Sequence, residues 1–287
     1  MFVKLIGALT LAVVVALGGG GARAEETGRP GVPKQSGAAD ERGRRLVEGK
    51  LAALTGGAGR EIAADRKLVP VRSTALSRAF PGHLFYVLRF QQYPVGLVPP
   101  EPLRANNLFV VRPDEAVEHL TDGQALEAFF RAALSPVKTT SQAREAARAW
   151  LRLSEELHQD GFLAFAAADK APAVTTAVGG GYAVTARARV RPEAGNRGEI
   201  RATLTFGADG KLQSVAETDD LKQGIRPICQ ATKLLDPDPV VRGMAEQSLL
   251  VLGRAAKEYL DAQRAAASPE LRGAIDRIWA RIVAEGR

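Results

Sequence analysis

The sequence is poor in the residues from which cross-links and metal sites are built, since it has one cysteine and three histidines among 287 residues. A single thiol cannot close a disulfide within the chain, so the fold must depend on its hydrophobic core. None of the three histidines is followed at i+3 or i+4 by a second histidine or a cysteine. We therefore expect no metal site and no cofactor.

The usual catalytic motif of exported hydrolases is missing as well. The sequence has no Gly-x-Ser-x-Gly pattern, which marks the nucleophile of many serine hydrolases. His158 falls at the end of a predicted helix, where an imidazolium suits the helix dipole. We assign no catalytic residue and expect a protein that is not an enzyme. The alternative is a hydrolase whose site is assembled from residues distant in the sequence.

The chain has a mild excess of positive charge, +7 from 39 basic and 32 acidic residues. Such an excess favours solubility and a weak attraction to anionic surfaces. No block of basic residues is interleaved with aromatic residues, so we do not expect nucleic acid as a partner.

The N-terminus has the pattern of a secretory signal peptide. A short n-region with Lys4 precedes an apolar run over 5–17, and Ala22-Arg23-Ala24 supplies small residues at the cleavage positions. The apolar run is too short to span a membrane. We predict a signal peptide over 1–24, cleavage after Ala24 and export to the periplasm or the extracellular space, with no transmembrane segment in the mature chain. The alternative is an uncleaved N-terminal anchor.

Composition divides the remaining sequence into four segments. Residues 25–39 are rich in Gly, Pro and Ser, which predicts a disordered linker. Residues 40–66 are predicted to form a short helical lead-in, because several leucines lie on one side of a helix that ends near Gly56. An α+β domain is predicted over 67–222, and a helical segment over 223–287.

The predicted α+β domain mixes two apolar periodicities. Residues 83–92 are nearly continuously apolar, which predicts a central strand. Apolar and polar residues alternate over 182–190 and 199–206, which predicts a sheet with one face in water. Helices are predicted over 121–134 and 140–158. The predicted fold class is α+β, with an antiparallel sheet packed on two helices and followed by a C-terminal all-α segment.

The C-terminal segment contains a short internal repeat. Pro239–Ala245 recurs as Pro269–Ile275, each time with a proline at the start of a predicted helix and an arginine at i+3. This segment resembles the opening of a HEAT repeat, and the whole chain resembles a group of exported bacterial proteins that end in such a segment. The resemblance implies stacked helix pairs that serve as a protein-binding surface. Arg242 is expected to pair with Asp236 or Asp238, and Cys229 and Trp279 are expected to be buried.

Two features are candidates for ligand binding. The first is a proline-rich loop over 93–106, whose alternative role is a stiff connector between strands. The second is the water-facing side of the predicted sheet, where arginines on neighbouring strands need either acids such as Glu193 and Glu199 or an anionic partner to offset them. The candidate ligand-binding residues are Gln91, Gln92, Tyr93, Arg104, Asn106, Arg187, Arg189 and Arg201.

The leading functional expectation is an exported, non-enzymatic protein-binding or scaffold module. It would meet a protein partner through its C-terminal helices. The alternative is a binding protein that holds a small ligand or an anionic polymer on the arginine-bearing sheet face and the proline-rich loop.

Overall fold

The structure is a computed structural model that describes residues 36–56, 61–62, 68–90, 98–159, 163–168, 171–176, 180–192 and 194–287. The chain divides into two units, Met1–Ser36 and Gly37–Arg287, and the second is the one described below. The predicted signal peptide and residues 25–35 of the predicted linker lie outside the described residues. Helix α1 covers Ser36–Leu54, so residues 36–39, which the composition assigns to the linker, are helical.

The first half of the domain is built on a four-stranded antiparallel sheet. Its strands, in spatial order, are β1 (Val69–Pro70), β2 (Leu84–Arg89), β3 (Asn106–Val111) and β4 (Val117–Leu120). Strand β2 alternates between two cores: Phe85 and Val87 face one, whereas Tyr86 and Leu88 face the other, which contains α1. A strand covered on both faces is apolar throughout, which explains the continuous run over 83–92.

The second half contains a five-stranded antiparallel sheet. Its strands are β5 (Phe165–Ala167), β6 (Ala173–Thr176), β7 (Tyr182–Val190), β8 (Arg197–Phe206) and β9 (Leu212–Lys222). The spatial order is β5-β7-β8-β9, and β6 pairs with β7 beside β5. Val184, Ala186 and Ala188 are buried on one face of β7, and Arg187 and Arg189 lie on the other face. The predicted alternation is therefore confirmed.

Three helices accompany the two sheets, the first between β1 and β2 in sequence and the other two between β4 and β5. They are α2 (Thr74–Ala79), α3 (Gly123–Ala133) and α4 (Thr140–Leu157). Ser73, Asp122 and Thr139 cap them, because each side chain accepts a hydrogen bond from an amide in the first turn. Helix α4 packs against β3 as well as β7 and β8, and residues of both sheets share its hydrophobic core.

The fold class expected from the sequence is confirmed at the coarse level and corrected in detail. The domain is a mixed α+β structure with antiparallel strands. The prediction of one sheet on two helices is wrong: the described residues form two sheets. The early strands pair only with one another and so do the late strands, and apolar periodicity, which reports the face of a strand, does not specify its pairing partner.

Residues 223–287, all of which the structure describes, contain helices and no strand. They are a 3-10 helix at Ala231–Leu235, α5 (Pro239–Leu252), a 3-10 turn at Gly253–Ala256, α6 (Lys257–Ala265) and α7 (Pro269–Ala284). These elements bury a core of their own, which includes Leu249, Tyr259 and Ile278. Nowhere in the part of the chain that the structure describes is a helix long and apolar enough to cross a membrane.

Candidate functional site

A cluster of exposed apolar side chains lies in the C-terminal segment. A groove of about 330 Å³ runs between α5 and the irregular segment that precedes the 3-10 helix. We call it the apolar groove. It is lined by Arg226, Pro227, Ile228, Cys229, Met244, Gln247, Ser248, Val251 and Leu252.

The walls of the apolar groove hold large side chains that the fold leaves in water. Ile228 is 74% exposed, Met244 is 55% exposed and Val251 is 71% exposed. Val240, at the first turn of α5, is 67% exposed. Because Val240, Met244 and Val251 are separated by four and then seven positions, they lie on one face of α5. Over those positions a helix rises about 16 Å, so the stripe is three turns long.

The two walls of the groove are joined by a defined contact. The amide of Ile228 donates a hydrogen bond of 3.1 Å to Ser248 Oγ on α5. Next to it, Cys229 is a free cysteine of intermediate burial that packs against the edge of the C-terminal core. The prediction that Cys229 is buried therefore holds only in part.

Several sequence expectations for the C-terminal segment concern packing. Asp238 and Ser268 cap α5 and α7 through side-chain bonds to amides, with a proline in the first turn of each helix. Arg242 donates instead to the backbone carbonyls of Asp236 and Pro237, at 2.7 and 3.0 Å. Trp279 is partly buried against the C-terminal core, and Lys257 Nζ lies 5.4 Å from the centre of its ring.

The arginines expected to bind an anion lie on the water-facing side of the second sheet, which we call the arginine face. Arg187 is directly opposite Arg201 across β7 and β8. Glu199 offsets part of the charge, since its carboxylate is 2.6 Å from an Arg201 nitrogen and 3.7 Å from Arg189 Nε. The hydrogen bond from Arg201 lowers the pKa of Glu199, so the carboxylate stays ionised. An acid of the same chain, Glu199, is therefore the counter-charge that the structure shows for Arg189 and Arg201. Glu193, the other acid expected here, lies outside the described residues.

The proline-rich loop contributes two described candidate residues, and both have structural partners. Asn106 Nδ2 donates to the carbonyls of Leu157 and Gln159, so it closes the C-terminus of α4. Arg104 Nη1 lies 3.5 Å from Glu101. These contacts favour the connector role. Gln91, Gln92 and Tyr93 lie outside the described residues.

A polar cluster that sequence reasoning missed lies between α4 and β9. Glu217 Oε2 accepts from Trp150 Nε1 at 2.5 Å, while its Oε1 lies 2.9 Å from Ser154 Oγ and 3.2 Å from His158 Nε2. His158 Nδ1 is 3.6 Å from Asp219. The sequence carries only part of the signal: Trp150, Ser154 and His158 are spaced about one turn apart on one helix, but the pairing of that helix with Glu217 on β9 is visible only in the structure.

The electrostatics of this cluster are those of a structural ion pair. Burial acts to raise the pKa of Glu217, but the hydrogen bonds from His158, Trp150 and Ser154 outweigh it and the pKa is lowered. The hydrogen bond to Glu217 raises the pKa of His158. Both nitrogens of the His158 imidazole lie near carboxylates, Nε2 near Glu217 and Nδ1 near Asp219. The Ser154 hydroxyl donates to Glu217 and not to the imidazole. A serine nucleophile needs the imidazole as its base, so the arrangement holds the helix to the sheet and does not activate Ser154.

The other two histidines are distant from this cluster in the fold. His119 stacks on Phe109 with ring centres 4.7 Å apart and lies 3.0 Å from Asn107 Oδ1. Burial lowers its pKa to about 4, so it is neutral. His83 packs among phenylalanines that include Phe80. Among the described residues, no group of three or more His, Cys, Asp and Glu side chains is arranged to hold a metal ion.

The Ser-x-x-Lys spacing of some acyl-transfer enzymes occurs at Ser135 and Lys138. These residues lie in the loop between α3 and α4, where Pro136 prevents a helix. The backbone of Lys138 is bonded to Gln142 and Tyr182, which holds the loop against α4 and β7. Because the pair is not on one helical face, the spacing here does not bring a lysine amine to the serine.

In comparisons with known proteins, no family model, no curated protein and no solved structure matched this chain. Its function must therefore be inferred from its own residues.

Proposed function

We propose that this chain is an exported, non-enzymatic protein-binding module, and that the apolar groove of residues 223–287 is its docking surface. The occupant we propose is an amphipathic helix of a partner protein. Such a helix would lay apolar side chains along α5 and carry an acidic residue at its edge. The observation that carries the proposal is the exposure of Ile228, Met244 and Val251 around one groove.

Exposed apolar side chains in a cluster favour association. Burying an Ile, Met or Val side chain completely is worth roughly 1.5–3 kcal/mol relative to leaving it in water. Contiguous apolar patches on a protein surface mark interaction sites, whereas single exposed residues do not. Val240 extends the cluster along α5, so the patch is a stripe rather than a point.

The form of the groove favours a helix over an extended peptide. A strand added to the 226–229 wall would need its free amides, but the amide of Ile228 already donates to Ser248 Oγ. Side chains must therefore supply the binding energy. A helix presents apolar side chains at i, i+4, i+7 and i+11 along one face, so a partner helix can lie along the α5 stripe, whose residues are at i, i+4 and i+11.

The charge of the groove favours an acidic edge on the partner. In the lining that the structure describes, Arg226 is the only charged residue. A glutamate or aspartate at the border of the partner's apolar face would meet it, whereas a lysine would be repelled. Charge of this kind sets orientation and selectivity more than affinity.

The resemblance to a HEAT repeat supports the same proposal. Such segments commonly act as protein-binding surfaces, and the capped proline starts of α5 and α7 agree with the HEAT-like pattern of the sequence. Export, expected from the N-terminal pattern, makes the partner a protein of the periplasm or the extracellular space.

Selection from a displayed library of random peptides tests the proposal, because it assumes no particular partner. The full mature chain is the bait, and Val251→Glu is the counter-selection bait. We expect the enriched peptides to share apolar residues at helical spacing with a flanking acid, and to bind wild type at least about tenfold more tightly than Val251→Glu. Val283→Glu is the matched control, because Val283 is also exposed on a C-terminal helix but does not line the groove.

Three results would contradict the proposal. Enriched peptides with an extended pattern, or with affinity equal for wild type and Val251→Glu, would place binding elsewhere. A wild-type dimer in light scattering that Val251→Glu dissociates, without any enriched peptide, would make a second copy the occupant.

A further inference from the structure

Strand β9 forms one edge of the second sheet. It pairs with β8 along its length, and no strand lies on its other side within the part of the chain that the structure describes. With 11 residues it is about 35 Å long, and most of its residues are exposed. An edge strand of this length is a template for a further strand, because its outer amides and carbonyls have no partner in the ladder.

The register of the sheet identifies the outward-facing backbone groups of β9. The amide of Ala168 donates to the carbonyl of Arg187, so the backbone of Arg187 is directed away from β8. Arg187 is opposite Arg201, and Arg201 is opposite Thr218. Because the direction alternates from residue to residue in an antiparallel ladder, Arg201 bonds to Thr218, and the residues on either side of Thr218 point outward. The outward-facing residues are Val215, Glu217, Asp219 and Leu221.

This outer edge of β9 is regular and open. Within the described ranges, the amides and carbonyls of those four residues make no backbone hydrogen bond on the outer side. The strand contains no proline, and its one lysine is its last residue, Lys222, so two common means of protecting an edge are missing or confined to its end. A register shift opposite Thr205 and Phe206 disturbs only its first residues. Residues 214–221 can therefore accept a strand.

The open edge carries exposed acids near its end. The side chains of Asp219 and Asp220 are 55% and 73% exposed. Their contacts within the chain are long, 3.6 Å to His158 and 3.5 Å to Lys222, and exposed pairs of this kind contribute little. Consecutive residues of a strand face opposite sides of the sheet, so one acid lies on each side of the edge. Two adjacent basic residues of an added strand would meet both acids.

The same acids disfavour a second copy of this chain as the occupant. If two β9 strands pair about a two-fold axis at Glu217 or Asp219, that acid lies opposite itself, and an axis at Thr218 places Glu217 opposite Asp219. Like charges directly opposite one another destabilise a sheet. An axis nearer the start of β9 brings the pairing into the register shift opposite Thr205.

We propose that the open edge of β9 binds an extended segment of a partner protein by strand addition, with two adjacent basic residues of that segment opposite Asp219 and Asp220. Main-chain hydrogen bonds supply the affinity, and the two acids select the partner. The rest of the segment is rich in β-branched residues, because it continues a pleated sheet. The edge belongs to the second sheet and the apolar groove to residues 223–287, and neither proposal depends on the other.

Hydrogen exchange measured by nuclear magnetic resonance tests the proposal with a designed peptide. The probe is Lys-Lys-Thr-Val-Thr-Val-Thr with blocked ends, added to the full mature chain. In the free protein, the amides of Glu217 and Asp219 should exchange at least about tenfold faster than those of Ala216 and Thr218, which bond to β8. Saturation with the peptide should slow exchange at Glu217 and Asp219 at least about tenfold, because their amides then enter a ladder.

Two N-methylated forms of the peptide test the ladder itself. Methyl groups on alternate backbone amides face β9 in one form and solvent in the other, so only the first form should fail to bind. A peptide with glutamates in place of the lysines should bind at least about tenfold more weakly. The Asp220→Lys variant should bind the lysine peptide at least about threefold more weakly than wild type. Asp261→Lys is the matched control, because Asp261 is a 57% exposed acid on α6, and it should leave the affinity unchanged.

Each part of the proposal has a result that would overturn it. Outward amides that are already protected in a monomeric free chain would make a segment of this chain the occupant, and protection in a dimer would make a second copy the occupant. A peptide that does not slow exchange, or two methylated forms that bind equally, would refute strand addition. Equal affinities of the lysine and glutamate peptides, or equal effects of Asp220→Lys and Asp261→Lys, would refute the selection of a basic segment.

Discussion

Removal of the Glu217 carboxylate should destabilise the domain more than removal of any exposed acid. In the Glu217→Ala variant, Trp150 Nε1 and Ser154 Oγ lose the acceptor they share. Both residues are only 2% exposed, so water does not readily replace that acceptor. A buried donor left without a partner costs about 1–3 kcal/mol. For two donors we therefore expect a loss of about 2–6 kcal/mol in the free energy of unfolding.

Urea unfolding measures this loss, with circular dichroism for the whole domain and tryptophan fluorescence for the environment of Trp150. Glu199→Ala is the matched control, because Glu199 lies on the neighbouring strand and pairs only with exposed arginines. Such surface pairs are worth about 0–1 kcal/mol. Equal free energies of unfolding for Glu217→Ala and Glu199→Ala would refute the structural role of the cluster.

Two further predictions concern charge. Since the hydrogen bond to Glu217 raises the pKa of His158 above 6.5, the stabilisation by charged His158 is complete below that value and is lost as pH rises through the higher folded pKa. The melting temperature of wild type should thus fall relative to His158→Gln as the pH rises above 6.5, and a constant difference would contradict the assignment. On a polyanion column, Arg189→Ala should elute with Arg131→Ala, which removes an equal charge from an exposed arginine paired with Glu127 away from the arginine face. Earlier elution of Arg189→Ala than of Arg131→Ala would favour an anionic polymer as the ligand of the arginine face.

The parts of the fold that sequence predicts best are those in which local chemistry and tertiary structure agree. The continuous apolar run of β2 is buried on both faces, and the alternation in β7 separates a core face from a wet face. Asp122 and Ser268 occur where a helix needs a cap, and both act as caps. In each case the local sequence and the tertiary packing favour the same backbone conformation.

The sequence does not predict those features of the fold that depend on which helices and strands pack against one another. The division into two sheets follows from pairing partners, which a period-two pattern does not specify. Glu217 stands in an acidic stretch that is typical of solvent, yet the C-terminal half of α4 covers it. Two short strands, β5 and β6, share one side of β7, and the spacing between them is visible only once the register is known.

The apolar groove illustrates the same limit. Val240, Met244 and Val251 read as the buried stripe of a helix, whereas the buried residues of α5 are Ala245, Leu249 and Leu250. A helix with apolar residues on more than one face is expected to have more than one partner. Only the packing of α5 reveals which face is left exposed.

The affinity of a selected helical peptide for wild type and for Val251→Glu is the most direct test of the docking surface. Titration calorimetry of both proteins at one salt concentration gives the two dissociation constants. We expect the substitution to weaken binding at least about tenfold, while Val283→Glu leaves it unchanged. Equal dissociation constants for wild type and Val251→Glu would contradict the assignment of the groove as the place where this protein meets its partner.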